Sequence, residues 1–303
     1  MNTRSWALLA AAGATTIYGL NHTVAKVVMP EYVGAFGFIF IRTAGATLLF
    51  WILSLFLPKE KIKVEDYFRM FLAALTGMCI NMLSFFKGLE LSTPVNSGIF
   101  ATTNPIIILL LSYLFLGEKV VKRKFWGIAM GFTGALILVL HGTEDTINAP
   151  NVLVGNVLLM INAIFFSGFI IVVKPLSEKY NVVTIMKWLF LIGFIMTFPV
   201  TVKEYSEVDW LKMPFDVIWR VSFVVLGTTF STYLLNVFAL RNLQASTVGA
   251  FAYAQPIIAI SYAIYTENDS IDLLKGLACA IILIGVYLVS KKPIKDRRNI
   301  SSS

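Results

Sequence analysis

A chain of 303 residues that is 57% hydrophobic and only 14% charged, with a mean hydropathy of +0.78, falls outside the soluble range of about half apolar and a quarter charged. No soluble interior of this size hides that much apolar surface, so the excess must face lipid. A net charge of +8 would point to nucleic acid in a soluble protein; in a membrane protein it reads as basic loops on the cytoplasmic side, with no nucleic-acid partner.

Crossing roughly 30 Å of hydrocarbon takes about 20 mainly apolar residues. Windows of that kind predict ten spans, at 6–28, 33–57, 68–90, 94–116, 124–141, 152–174, 182–203, 216–239, 245–265 and 272–290. The first is too long for a signal core and runs straight into the second, so it is expected as a retained helix. It contains "YGLNHTVAK", in which Tyr18, His22 and Lys26 share a face at i, i+4 spacing and Asn21 sits beside it. A histidine titrates near neutral pH, which makes His22 the candidate for proton coupling; the plain alternative is a histidine satisfied by a neighbouring carbonyl.

Span two holds Arg42, expected as a structural pairing rather than a solute contact. Span three offers Asn81, Ser84 and Phe85, and span four Thr102, Thr103 and Asn104 ahead of Pro105. Proline removes a donor and frees a carbonyl about one turn earlier, so a kink is expected at Pro105 and at its counterpart Pro256. Gly127 and Gly131 in span five, with Gly276 and Ala280 in span ten, have the small-residue spacing of close helix packing. Packing within the bundle is favoured there over a homodimer seam, leaving a monomer or weak homodimer.

In the second half, span six carries Asn162, Phe166 and Ser167, span eight the run "GTTFSTYLLN" with Thr232 and Asn236, and span nine Tyr253 and Gln255. Lys26, Lys87 and Lys187 lie toward span ends and are expected to snorkel.

The halves repeat. "SGIFATTNPIIILLLSYLFLGE" from Ser97 lies over "VGAFAYAQPIIAISYAIYTE" from Val248, with Gly98 on Gly249, Pro105 on Pro256 and Glu118 on Glu267. Two copies follow, 1–145 and 150–292, with 293–303 as a cytoplasmic tail. Each copy has five spans, an odd number, so the second should enter the membrane inverted. Seventeen Lys and Arg fall on the N-terminal side of the ten-span arrangement and six on the other. That bias puts both termini in the cytoplasm, as for a bacterial plasma-membrane protein. Glu118 and Glu267 are expected to cap the next helix. Under the same offset Asn81 falls on Thr232 and Phe85 on Asn236, so both halves bring polar faces to a midplane site.

Chemistry is otherwise sparse. No Asp or Glu stands well inside a span, no Walker, HExxH or GxSxG motif occurs, and Cys79 and Cys279 form no CxxC pair. An enzyme, a cofactor and a metal are therefore not expected.

Taken together, the paired five-span copies, Arg42, the stretch "STPVNSGIFATTNP" (92–105) and "LGE" at 116–118 resemble the drug/metabolite transporter superfamily, in its EamA-type family with two repeats. The second copy departs from the pattern with "YTEND" and with Met186-Lys187. The resemblance implies an all-α, ten-helix carrier alternating access around a cavity lined by spans one, three, four, six, eight and nine. The substrate expected is a small metabolite, an amino acid or similar amphipathic solute, and the direction expected is export. A sugar-phosphate or nucleotide-sugar exchanger is the second carrier reading, and a non-transporting scaffold or channel the reading of another class. The candidate cavity residues are Tyr18, Asn21, His22, Asn81, Ser84, Phe85, Thr102, Asn104, Asn162, Phe166, Thr232, Asn236, Tyr253 and Gln255.

Overall fold

Every regular element among the described residues is helical. The computed structural model describes residues 2–29, 31–140, 149–265 and 273–291, without the side chains at 22, 23, 26, 27, 94, 95, 259, 260, 263 and 264. Glu267 and the tail 293–303 lie outside the described residues.

The first copy begins with α1 (Thr3–Val28), whose first turn is capped by Asn2 Oδ1 accepting from Ser5 N at 2.9 Å. It continues with α2 (Ala35–Ser54), α3 (Val64–Leu91), α4 (Pro94–Ala101), α5 (Asn104–Leu116) and α6 (Lys122–Leu140). The second copy has α7 (Val152–Lys179), α8 (Val182–Ser206), α9 (Phe215–Asn242), α10 (Ala245–Ala250), α11 (Gln255–Tyr265) and α12 (Leu273–Ser290). A 3-10 turn, Phe251–Ala254, joins α10 to α11.

By length and composition, eight helical stretches among the described residues can cross a membrane. The two predicted spans outside that set are α1 and the α10–α11 stretch. With 26 residues α1 is long enough, about 39 Å at 1.5 Å per residue, but Asn21, His22 and Lys26 dilute its apolar run. The α10–α11 stretch is divided into pieces of 6, 4 and 11 residues. Leu110, Leu114, Trp126, Ile195 and Leu283 stand exposed along these helices, as a lipid-facing surface requires. Inside, Phe38, Phe50, Phe86, Phe169 and Phe190 are fully buried in one continuous apolar core.

The packing repeats with the copies exchanged. Helix α7 lies on α3 and α5, as α1 lies on α9 and α11; α2 pairs with α8, and α6 with α12. Equivalent helices also share a defect. Within α3 the turns Leu75–Ile80 are π-helical, and within α9 so are Val224–Ser231. Wide turns of this kind expose carbonyls that an α-helix would occupy, and often mark functional sites.

Three expectations are refined. Pro105 and Pro256 each follow a short interruption of their span, Thr102 and Thr103 in the first copy and the 3-10 turn Phe251–Ala254 in the second, and each is the second residue of the helix that resumes, α5 or α11. There a missing N–H costs nothing, and the break precedes the ring. In the first copy the carbonyls freed at the break are met by hydroxyls, Thr102 Oγ1 donating to Ile99 O at 2.7 Å and Thr103 Oγ1 to Phe100 O at 2.6 Å. Second, the close partner of Gly127 and Gly131 is Gly285, whose added Cβ would stand 2.6 Å from Gly127 O; Gly276 has no neighbour within 4 Å of such an atom. The Gly127 face is thus filled by α12 and is not open to a second copy. Third, Lys87 does more than snorkel: it pairs with Glu90 at 3.0 Å and lies over the Phe36 ring at 5.6 Å.

Candidate functional site

Between the copies lies a cavity of about 90 Å³. From the first copy it is walled by Tyr18 and Asn21 of α1, Arg42 of α2, Asn81, Met82, Phe85 and Phe86 of α3, Ala101 of α4 and Asn104 of α5. The second contributes Asn162 and Phe166 of α7, Tyr233 of α9 and Gln255 of α11. A smaller pocket of about 30 Å³ adjoins it through Tyr18, Asn104, Phe166 and Gln255, and Asn236 lines this one.

Other expected residues sit differently. Thr232 is wholly buried and donates its hydroxyl to Thr228 O at 2.6 Å, close to the Tyr18 phenol. Ser84 and Thr102 are buried off the wall, because their helix faces turn into the surrounding packing. Tyr253 is a correction: its ring packs with α6 and α12, where Gly131 leaves the room for it. The 3-10 turn beginning at Phe251 rotates it away from the face that Gln255 presents. The His22 side chain lies outside the described residues.

Arg42 has the structural pairing expected of it, and it also stands on the wall. Only 5% exposed, it donates from Nε to Thr229 Oγ1 at 2.8 Å and from Nη2 to Thr228 O at 3.4 Å, and its guanidinium lies 4.7 Å from the Phe86 ring centroid. The Thr228 carbonyl belongs to the π-helical part of α9. In α3 the equivalent carbonyl, Gly77 O, accepts from Tyr233 Oη at 3.3 Å. Both wide turns therefore hold a polar side chain of the cavity wall. Among the described residues no acidic group makes an ion pair with Arg42, and no acid lines the cavity.

Amides dominate the rest of the polar surface. Asn162 Nδ2 donates to Asn81 O at 3.1 Å, and Asn81 Nδ2 to Asn162 O at 3.5 Å, joining the copies across the cavity. Among the described residues Asn21 Oδ1 and Asn104 Oδ1 are buried acceptors with no donor. Leaving such a group unmet costs about 1–3 kcal/mol.

Two sets of contacts tie the copies at the ends. On the face bearing the termini, Asp66 of α3 meets Lys179 at 2.9 Å and accepts from Tyr180 Oη at 2.8 Å. On that face too, Gly117 in the left-handed region (φ 64°) turns the chain so that Glu118 reaches the other copy. Glu118 caps α10 rather than the following α6: Oε1 accepts from Ala245 N at 2.7 Å and Oε2 from Ser246 Oγ. Lys124 completes this cluster, 3.3 Å from Glu118 Oε2 and 2.7 Å from Ser246 Oγ. At the opposite face, Glu204 of α8 accepts from Phe36 N and Gly37 N of α2 at 2.8 and 3.0 Å. No group of three His, Cys, Asp or Glu among the described residues is placed to hold a metal.

Comparison with known proteins agrees with this architecture. The EamA-like transporter family matches residues 5–140 and again 153–291. An "Uncharacterized transporter" of Methanothermobacter thermautotrophicus is 26% identical, over 94% of this chain and 86% of its own. The "Uncharacterized transporter YetK" of Bacillus subtilis is also 26% identical, over 94% of this chain and 88% of its own. A solved structure described only as "Crystal structure of protein" superposes with a TM-score of 0.73 at 15% identity, covering 94% of this chain and 96% of that one, and so shares the fold.

Proposed function

Because the chain belongs to the EamA-like transporter family and is an integral, multi-pass membrane protein, we propose that it carries a small amphipathic metabolite across the membrane by alternating access. The observation that carries this reading is the polar cavity enclosed between two copies of one repeat, with wall residues from both. Ten spans, an inverted second copy and cytoplasmic termini belong to the proposal, supported by the Lys and Arg distribution and by packing that repeats with the copies exchanged. Divided at 1–145 and 150–292, the copies rock about the cavity. At the termini face the copies are joined by Asp66 with Lys179 and by Glu118 with Ala245 N and Ser246 Oγ, contacts that the rocking motion has to break.

A sugar-phosphate exchanger needs two cations converging on the cavity. Among the described residues only Arg42 stands on its wall, while Lys87 is engaged by Glu90. A scaffold has no use for amides presented from both copies, and a channel would need a continuous wet pore. Export into the periplasmic or outer space is the direction proposed, with His22 as the proton-coupling group.

Purified protein reconstituted in proteoliposomes and tested for counterflow against a panel of amino acids and related metabolites decides the reading. Saturable counterflow of at least one solute is the expected result. Absence of counterflow for every solute, with folded protein verified in the same vesicles, overturns it.

A further inference from the structure

Resting on the carrier reading, we propose that Arg42 is the anchor for a solute carboxylate, and that the cavity selects small solutes bearing one carboxylate with a hydrogen-bond donor nearby. Three independent features converge on it.

The first is an unbalanced charge. A guanidinium is always charged and presents five N–H groups in a fork that fits a carboxylate. Arg42 spends two of them on the neutral acceptors Thr229 and Thr228. Two other cations in the helices have acids: Lys124 has Glu118 and Lys87 has Glu90. Arg42, 95% removed from solvent, has none among the described residues. A single carboxylate neutralises it, whereas a dianion leaves one negative charge over and a cation adds to the imbalance.

The second is the pair of orphaned acceptors. Asn21 and Asn104 are 4% and 8% exposed, both stand on the same wall as Arg42, and each has an Oδ1 without a donor. An ammonium or amide N–H on the solute satisfies them. A zwitterion thus fits both poles at once, with its carboxylate on Arg42 and its donor on the asparagines.

The third is size and lining. About 90 Å³ admits the polar head of a small solute, and Met82, Phe85 and Phe166 provide apolar contact for a short body.

Binding of two matched triplets to the purified protein tests this: alanine, propionate and ethylamine, and phenylalanine, phenylpropionate and phenethylamine. The wild type is expected to bind the acid, which neutralises Arg42, and the zwitterion, which meets Arg42 and the asparagines together, and to bind the amine least. Arg42→Gln should weaken the acids and zwitterions by about 10- to 100-fold, the worth of a charge-assisted pair. Arg42→Lys should retain part of the affinity, and Lys87→Gln, which removes an equal charge off the wall, should change it less than threefold by the same reasoning. Equal binding of amine and acid by the wild type, or carboxylate affinity unchanged in a monodisperse Arg42→Gln, overturns the proposal. If Arg42→Gln does not fold, the acid-against-amine order and Arg42→Lys decide. Failure of all carboxylates also overturns it, while the carrier reading stands or falls separately on counterflow of any other solute.

Discussion

Replacing Gly285 by alanine sets two quantities against each other in one experiment. The new methyl would lie 2.6 Å from Gly127 O, 2.7 Å from Gly131 N and 3.1 Å from Gly131 Cα. Comfortable carbon contacts begin near 3.5 Å, so α12 must retreat from α6 by close to 1 Å. All three obstacles are backbone and cannot rotate aside, which places the cost in the upper part of the usual 1–3 kcal/mol for overpacking. Alanine returns about 1 kcal/mol in helix propensity, leaving a net loss of about 1–2 kcal/mol. The same change at Gly276, where an added Cβ meets nothing within 4 Å, should instead gain about 0.5–1 kcal/mol. Thermal unfolding of both variants in one detergent should therefore move in opposite directions. A Gly285→Ala protein as stable as the wild type would refute the reasoning that α6 and α12 are held by backbone contact.

Glu118→Gln should loosen the termini face, because it weakens the contacts to Ala245 N and Ser246 Oγ of the other copy and leaves Lys124 buried without its acid, a loss of about 3–5 kcal/mol; a cysteine at Gln255, in a protein lacking Cys79 and Cys279, should then label faster from that face, and an unchanged rate denies that these contacts hold the copies together. His22→Gln should remove dependence of transport on a pH gradient while sparing counterflow, and undiminished gradient-driven transport assigns His22 a structural part. Membrane-impermeant labelling should reach cysteines at Thr146 and Asp209 from outside and those at Lys61, Lys122 and Ser302 from inside. Labelling of the Glu118 and Glu267 loops from one common side contradicts inversion.

Most of the cavity wall was legible because polar side chains inside apolar runs must face something other than lipid. Asn21, Asn81, Asn104, Asn162 and Gln255 all follow that logic onto one wall. Arg42 was expected to be paired, and it is, but its place on the wall was not legible: its partners Thr228 and Thr229 lie far along the chain and are presented by a π-helical turn that no residue pattern announces. A signal was nevertheless there: with no Asp or Glu deep in any span, a mid-span arginine had no counter-ion to find. Tyr253 misled because its polarity was read without its rotation, which the 3-10 turn sets. The prolines marked where each span is interrupted but not the form of the interruption, a short break just ahead of the ring. Gly276 shows that repeat equivalence predicts position better than contact, for its partner in the first copy is packed and it is not.

The paired π-helical turns also make the two copies hold each other. A π-turn closes its hydrogen bond one residue later than an α-turn, which leaves a carbonyl open to a side chain. The two carbonyls used in this way, Gly77 O and Thr228 O, are 151 positions apart, the offset that aligns Gly98 with Gly249. Tyr233 of the second copy donates to the wide turn of the first, and Arg42 of the first copy donates to the wide turn of the second. Each copy is thus gripped at the irregular turn of the other, and the two groups that do the gripping stand on the wall of the same cavity.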